Sequence, residues 1–150
     1  MESHLYNIQV QWNKDRKGIM CSPELSSPTL DGGCIEVATP PEFTKGIAGI
    51  WSPEHLFTAA VSSCLMTTFL AIAENSKLEF TDFKCFAEGK LEKQEGKYLM
   101  TEIVLSPELT IVNESDKEKA ERILIKSESA CLISNSIKSK VTLVTKINVV

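Results

Sequence analysis

Arginine is nearly missing from this chain: of sixteen basic residues only Arg16 and Arg122 carry a guanidinium. Net charge at pH 7 is −4, and no basic stripe runs through any segment. Nucleic acid, whose binding rests on clustered Lys and Arg, is therefore not an expected partner. Close cysteine pairs are missing too. Five cysteines at positions 21, 34, 64, 85 and 131 give an odd count with no CxxC, which argues against a secreted disulfide framework and against a zinc site. The opening MESHLYNIQVQW has neither a basic region nor an apolar core, so no signal peptide is expected and the expected location is cytoplasmic. In a reducing compartment a cysteine is either an inert core residue or chemistry. Repeats and low-complexity tracts are absent as well. With 150 residues and 43% hydrophobic content, the chain reads as one globular domain over residues 1–150.

Charge is also absent from Leu56 to Ala73, and there the absence points to structure. The stretch Trp51 to Glu74 opens with helix-start chemistry. Ser52 can cap free N–H groups, Pro53 suits the first helical position, and Glu54 places negative charge in the first turn. Leu56, Phe57, Ala60, Val61, Cys64, Leu65, Phe69, Leu70 and Ile72 point in nearly every direction round a helix, which predicts burial on all sides. The uncharged run is long enough for a membrane span. Thr58, Ser62, Ser63, Thr67 and Thr68 interrupt it, so the reading is a buried helix and no membrane partner. One chain of this size covers such a helix thinly, and two copies packed back to back as a homodimer would cover it better.

Around that helix the pattern alternates between strand and helix periods. Leu5 to Trp12 alternates as a half-buried strand, Asn13 to Gly18 reads as a hairpin turn, and a second strand follows from Ile19. Ser22 to Gly33, with the Asp31-Gly32-Gly33 turn, is expected to be loop. Cys34 to Thr39 forms a third strand, stopped by Pro40-Pro41. Lys77 to Gln94 and Tyr98 to Ile111 predict two strands about a polar turn at Glu95-Gly96-Lys97. A second helix is expected from Lys117 to about Ala130, then a short turn from Ile133 to Ile137 and a last strand from Val141 to Val150. Strands, helix, strands, helix, strand in that order is α+β, with mostly antiparallel pairing.

Cys64 sits in the middle of the apolar helix, and free cysteine is among the most buried residue types, so packing alone would account for it. Cys131, at the end of the second helix in SACLISNS, is placed where a thiol could move. Cys21, Cys34 and Cys85 lie in strand-like contexts and read as incidental. Glu54 precedes Cys64 by ten residues, on the order of 15 Å along one helix at ~1.5 Å per residue. It either complements the helix dipole or serves the thiol of a neighbouring copy. Arg16 is either a solvated turn residue or the fixed positive charge a buried thiol needs to become a thiolate.

At this point the residues match a family. SPEHLFTAAVSSCL resembles the helix of the OsmC/Ohr peroxide-reductase superfamily, where a Pro-Glu pair leads to a Cys ten residues after the Glu. Asp15-Arg16-Lys17-Gly18 is similar to that family's Arg-bearing turn, and the downstream Cys131-Leu132-Ile133-Ser134 is similar to its second cysteine motif. Two features depart from the family pattern: Leu132 stands where Pro is frequent, and Ile50-Trp51 precedes the Ser-Pro-Glu where small or polar residues are usual. These features look more like the OsmC-like branch than the hydroperoxide-resistance branch. The resemblance implies an OsmC-like α+β fold, with antiparallel sheets wrapping a long central helix in an intertwined homodimer. It implies a thiol peroxidase without a cofactor, reducing organic peroxides, with hydrogen peroxide as a further candidate substrate, through a Cys64 sulfenate and a Cys64–Cys131 disulfide. Arg16 would hold the thiolate and Glu54 would orient the guanidinium, and an external dithiol would recycle the enzyme. Trp51 and Phe57 are the candidate substrate contacts, Trp51 at the helix entrance either lining the substrate channel or plugging it. Two other readings stand beside it: a non-catalytic dimer that binds a small apolar ligand, and a hot-dog-like thioesterase.

Overall fold

The computed structural model describes residues 2–25 and 33–150. The expected Asp31-Gly32 part of the first long loop, with residues 26–30, lies outside the described residues. The chain divides into two compact units, residues 1–56 and 57–150, and each is described by itself.

The first unit is a three-stranded antiparallel sheet in the order β1 (Gln9–Lys14), β2 (Lys17–Cys21), β3 (Cys34–Ala38). A two-residue turn joins β1 to β2, with Asp15 at φ 51°, a left-handed conformation that Asp tolerates better than most residues. Gly18 pairs with Trp12, and a Cβ at Gly18 would lie 3.1 Å from the Gln11 carbonyl carbon and 3.2 Å from the Trp12 Cα. Glycine is therefore needed for the two strands to come this close. The alternation in β1 does not bury a face: all six residues are exposed, including Val10 and Trp12. Residues 5–8, expected to begin that strand, are not in it.

The structure also corrects the reading of two cysteines as incidental. Cys21 and Cys34 face one another across β2 and β3 and are joined as a disulfide, with Cα atoms 4.2 Å apart. That separation is close to the ~4.5 Å of a non-hydrogen-bonded antiparallel pair.

The chain then runs into α1 (Pro53–Asn75). Ser52 caps it as expected, accepting the His55 N–H at 3.3 Å, and the Leu56 N–H closes the first turn on the Ser52 carbonyl at 2.9 Å. By length and composition α1 could cross a membrane, with a best-window hydropathy of 1.9, and 28% of that window is buried. Burial is one-sided within the chain. Val61, Cys64, Leu65, Phe69 and Ala73 are buried, while Ser63, Met66, Thr67, Leu70, Ala71 and Glu74 form an exposed stripe. The apolar composition of the whole circumference did not distinguish these two faces.

The second unit is built on a long hairpin, β4 (Phe80–Gln94) and β5 (Lys97–Ile111), closed by Glu95 and Gly96, both at positive φ. The expected last strand is broken in two, β6 (Lys140–Leu143) and β7 (Lys146–Val149), and both pair with β5 in parallel. Pairing is thus antiparallel in the hairpins and parallel at the C-terminus. Between the hairpin and β6 lies α2 (Lys117–Ala130), whose Ala120, Ile123, Leu124 and Ser127 recur at helical spacing and are buried. Phe69 of α1 is at the centre of one core cluster, stacked 4.9 Å from Phe83 and edge-on to Phe80 at 5.2 Å. A second cluster joins Val61 and Leu65 to Ile103 and Leu105, with Phe57 and Ile133 against it. Gly89 in β4 lets the helix lie close: a Cβ there would meet Thr58 Oγ1 and come within 2.8 Å of Met100 Cε. These contacts hold Cys64 in place beneath the residues that follow α2.

Candidate active site

The helical phase of α1 sets where Cys64 points. It shares the buried stripe with Val61 and Leu65, so its sulfur faces the interior of the second unit rather than the exposed stripe. Four residues on, Thr68 lies on the same face, its Oγ1 3.9 Å from Cys64 Sγ. The facing wall is the turn after α2. Cys131 leaves the helix with ψ 114° while its N–H bonds to the Glu128 carbonyl. The turn is tied by Asn135 N–H to the Cys131 carbonyl at 3.0 Å, Ser136 Oγ to the Leu132 carbonyl at 2.7 Å, and Asn135 Nδ2 to the Ser129 carbonyl at 3.1 Å. Cys131 itself is fully buried, and the Ser134 N–H points at its sulfur at 3.5 Å.

This geometry separates the two thiols chemically. Burial pushes Cys64 up, but the Cys131 S–H, the Ile133 N–H, the Thr68 hydroxyl and the Leu132 N–H all favour its thiolate, and the net shift is downward. Cys131 moves the other way. Burial and its donation to Cys64 push it up, against the opposing hydroxyl and N–H of Ser134. Two adjacent thiols with opposite shifts differ in how readily they ionise, Cys64 more readily and Cys131 less. Cys85, on β4, is pushed up by burial and is a poor nucleophile.

In the first unit Arg16 and Glu54 line one pocket of about 290 Å³ with Val37, Ala38, Thr39, Pro40, Phe43 and Pro53. Arg16 projects from the β1–β2 turn, and its carbonyl accepts the Thr39 N–H at 3.0 Å, which fixes the turn against the pocket wall. The pocket wall is mainly apolar with one cation and one anion, suited to a small ligand with a polar end. Trp51 is half exposed and lies edge-on to His55 at 6.3 Å, outside the lining of this pocket. Phe57 packs into the core cluster of Val61 and Leu65 in the second unit. The structure thus brings Cys64 to Cys131 in one unit, and Arg16 to Glu54 in the other. Among the described residues no group of three or more His, Cys, Asp or Glu could hold a metal ion.

Thr68 and the Leu132 and Ile133 N–H groups were not singled out from sequence, and Ser134 was read as part of the second cysteine motif without a role. Thr68 had a readable signal, its i+4 spacing from Cys64 on a helix. The N–H groups had none, because every residue has one and only the fold aims it.

The fold agrees with comparisons to known proteins. A family model described as OsmC-like protein matches residues 46–146. The chain belongs to the OsmC-like family. YmaD of Bacillus subtilis, an uncharacterized relative, is 23% identical over 146 residues, covering 95% of this chain and 93% of its own. Among solved structures, an OsmC-like protein of unknown function from Vibrio cholerae superposes with a TM-score of 0.81 at 24% identity, covering 97% and 99% of the two chains. An organic hydroperoxide resistance protein OsmC from Legionella pneumophila gives 0.74 at 21% identity, covering 99% of both. At these identities the structural likeness speaks to fold, and it establishes the OsmC-like α+β architecture with α1 as the central helix.

Proposed function

We propose that this OsmC-like protein is a cysteine-based hydroperoxide reductase acting in the cytoplasm. One observation carries the reading: Cys64 is held below the usual thiol range beside a protonated Cys131. The Cys64 thiolate attacks the distal oxygen of a hydroperoxide. An S–O bond forms, the O–O bond breaks, and the alkoxide takes up a proton and leaves as alcohol. Cys131 then attacks the sulfenic sulfur: an S–S bond forms, the S–O bond breaks, and hydroxide leaves as water. An external dithiol reduces the Cys64–Cys131 disulfide by exchange and is itself oxidised. No cofactor enters the cycle.

Arg16 polarises the peroxide and Glu54 sets the guanidinium plane, while Trp51, outside the pocket lining, and Phe57, packed into a core cluster, take no part. Because Glu54 and Cys64 are ten residues apart on one helix, about 15 Å of rise, the Arg16–Glu54 pair is assigned to the thiol of a second copy in a homodimer. The family membership and the likeness to organic hydroperoxide resistance proteins support this reading. The test adds one equivalent of an organic hydroperoxide to the reduced protein and reads the intact mass. Loss of two hydrogens, mapped to Cys64 and Cys131, is expected. No mass change, or a bridge to Cys85, refutes it. Heterodimers that combine a Cys64→Ser subunit with a Glu54→Ala subunit should regain one working site, and no recovery refutes the shared site.

A further inference from the structure

A second anomaly lies beside the resolving thiol. The Ser134 Oγ is a buried polar atom without a well-formed hydrogen bond in the resting protein, and the group it acts on is the Cys131 sulfur, whose thiolate it favours. An orphaned buried hydroxyl is costly and asks for an explanation. It belongs to the same residue whose N–H already points at Cys131 Sγ from 3.5 Å. The turn that carries it is tied at both sides, by Asn135 to Cys131 and by Ser136 to Ile133 and Leu132. Ser134 therefore cannot easily swing away to find a partner elsewhere.

We propose that Ser134 is a two-donor clamp for Cys131 in its reacting state: the N–H and the hydroxyl together hold the negative charge that the Cys131 sulfur carries once its proton has left and before it attacks Cys64. A neutral thiol is a weak acceptor, so in the resting protein the hydroxyl has little to donate to. When Cys131 gives up its proton, the same hydroxyl gains a charge-assisted bond that the resting state lacks. A group satisfied only along the reaction lowers the barrier rather than stabilising the starting state. Both Ser134 groups favour the Cys131 thiolate, although burial and Cys64 outweigh them and hold the resting thiol above its ordinary value. The titratable side chain that acts on Cys131 from the packed elements is Cys64; on its own helix Glu128 meets it through the backbone carbonyl. The assignment of Cys131 as resolving thiol rests on the peroxidase reading, but the clamp itself does not need peroxide to be measured.

The first measurement uses a Cys64→Ser, Cys85→Ser background, in which Cys131 is the titrating thiol. The Cβ chemical shift of isotopically labelled cysteine is followed against pH. Ser134→Ala should move the midpoint upward, leaving roughly tenfold less thiolate at a given pH below it, and Ser134→Thr should restore it. An unmoved midpoint overturns the clamp. The second measurement uses the protein with all its cysteines and one equivalent of organic hydroperoxide. Ser134→Ala should consume the equivalent at the unaltered rate and close the disulfide about tenfold more slowly, with the sulfenate trapped in the interval. Equal slowing of both steps would mark a merely structural role and overturn the proposal. Thermal stability should stay level or rise in Ser134→Ala, because an unsatisfied buried hydroxyl has been removed. If the unsubstituted protein consumes no hydroperoxide, the peroxidase reading fails and the titration alone decides the clamp.

Discussion

Replacing Thr68 by Val tests whether local donors make Cys64 acidic. The substitution keeps the branched shape and removes the hydroxyl that lies 3.9 Å from Cys64 Sγ. Burial opposes the thiolate, and four groups favour it; Thr68 follows Cys131 and the Ile133 N–H in that order. A hydrogen bond to a charged group is worth roughly 1.5–3 kcal/mol when well formed, and 3.9 Å is the long end for sulfur, so about 1 kcal/mol is expected here. Divided by the ~1.4 kcal/mol that equals one pH unit, this leaves roughly fivefold less thiolate at a given pH below the midpoint. The assay is the rate of Cys64 alkylation against pH, read by peptide mass, with denaturant unfolding as a control for folding. The sign extends to stability. Cys64 is depressed in the folded state, so its ionisation stabilises the fold above the unfolded value near ~8.5 and that contribution fades as pH falls through the lower folded value. Thr68→Val should shrink this alkaline gain. A midpoint that stays put in a folded Thr68→Val protein refutes the Thr68 contribution and leaves the acidity of Cys64 to the Cys131 thiol and the Ile133 and Leu132 N–H groups.

Three further outcomes follow from the packing. Phe69→Ala empties the centre of a core cluster between Phe80 and Phe83 and should cost about 3–5 kcal/mol in denaturant unfolding. The Cys21→Ser, Cys34→Ser double variant opens a link between residues 13 apart and should lower stability by about 3 kcal/mol while leaving the Cys64 alkylation profile unchanged. Glu108 is held at about 2 by Lys146 and Asn148 of β7, with Lys84 adding to it. Its contribution is present above the usual carboxylate value and is lost as pH falls toward 2, so Glu108→Gln should flatten the acid side of the stability profile.

Local patterns were legible where a local cause sets them. Ser52 and Pro53 start α1, the period of Ala120, Ile123, Leu124 and Ser127 gives α2 its bounds and its buried face, and Glu95-Gly96 closes the long hairpin. Pairing across distance was not legible. The alternation of Val141 to Val150 fits one strand or two and either direction, and only the β5 register shows that Val144 and Thr145 break it into parallel halves. Cys21 and Cys34 are 13 positions apart, a separation that no close-pair motif covers. They meet because β2 starts at Lys17, two residues earlier than expected, and pairs Lys17 with Ala38 at its other end. Cys64 and Cys131 were linked by resemblance rather than by spacing, and the fold supplies the cause: the turn after α2 lies over the buried stripe of α1.

The two faces of α1 decide a last question, the covering of its exposed stripe. Ser63, Met66, Thr67, Leu70, Ala71 and Glu74 recur at helical spacing, and Met66 and Leu70 are about two-fifths exposed. A solvated helix face ordinarily carries charge, and this one carries none until Glu74. Its small residues would let another helix approach closely, with Met66 and Leu70 as the larger contacts. β1 leaves Val10 and Trp12 in the same condition. Two apolar surfaces without cover in one chain argue for a second copy. Leu70→Glu adds a charge to the exposed stripe without touching the buried one. Each Leu70 removed from water contributes roughly 1.5–3 kcal/mol, and two face the interface in a symmetric pair, so the substitution should weaken dimerisation by at least tenfold. Light scattering should give a dimer for the unsubstituted chain at micromolar concentration and a folded monomer for Leu70→Glu, with peroxide turnover lost alongside. A folded monomer before any substitution would remove the dimer, and the shared site with it.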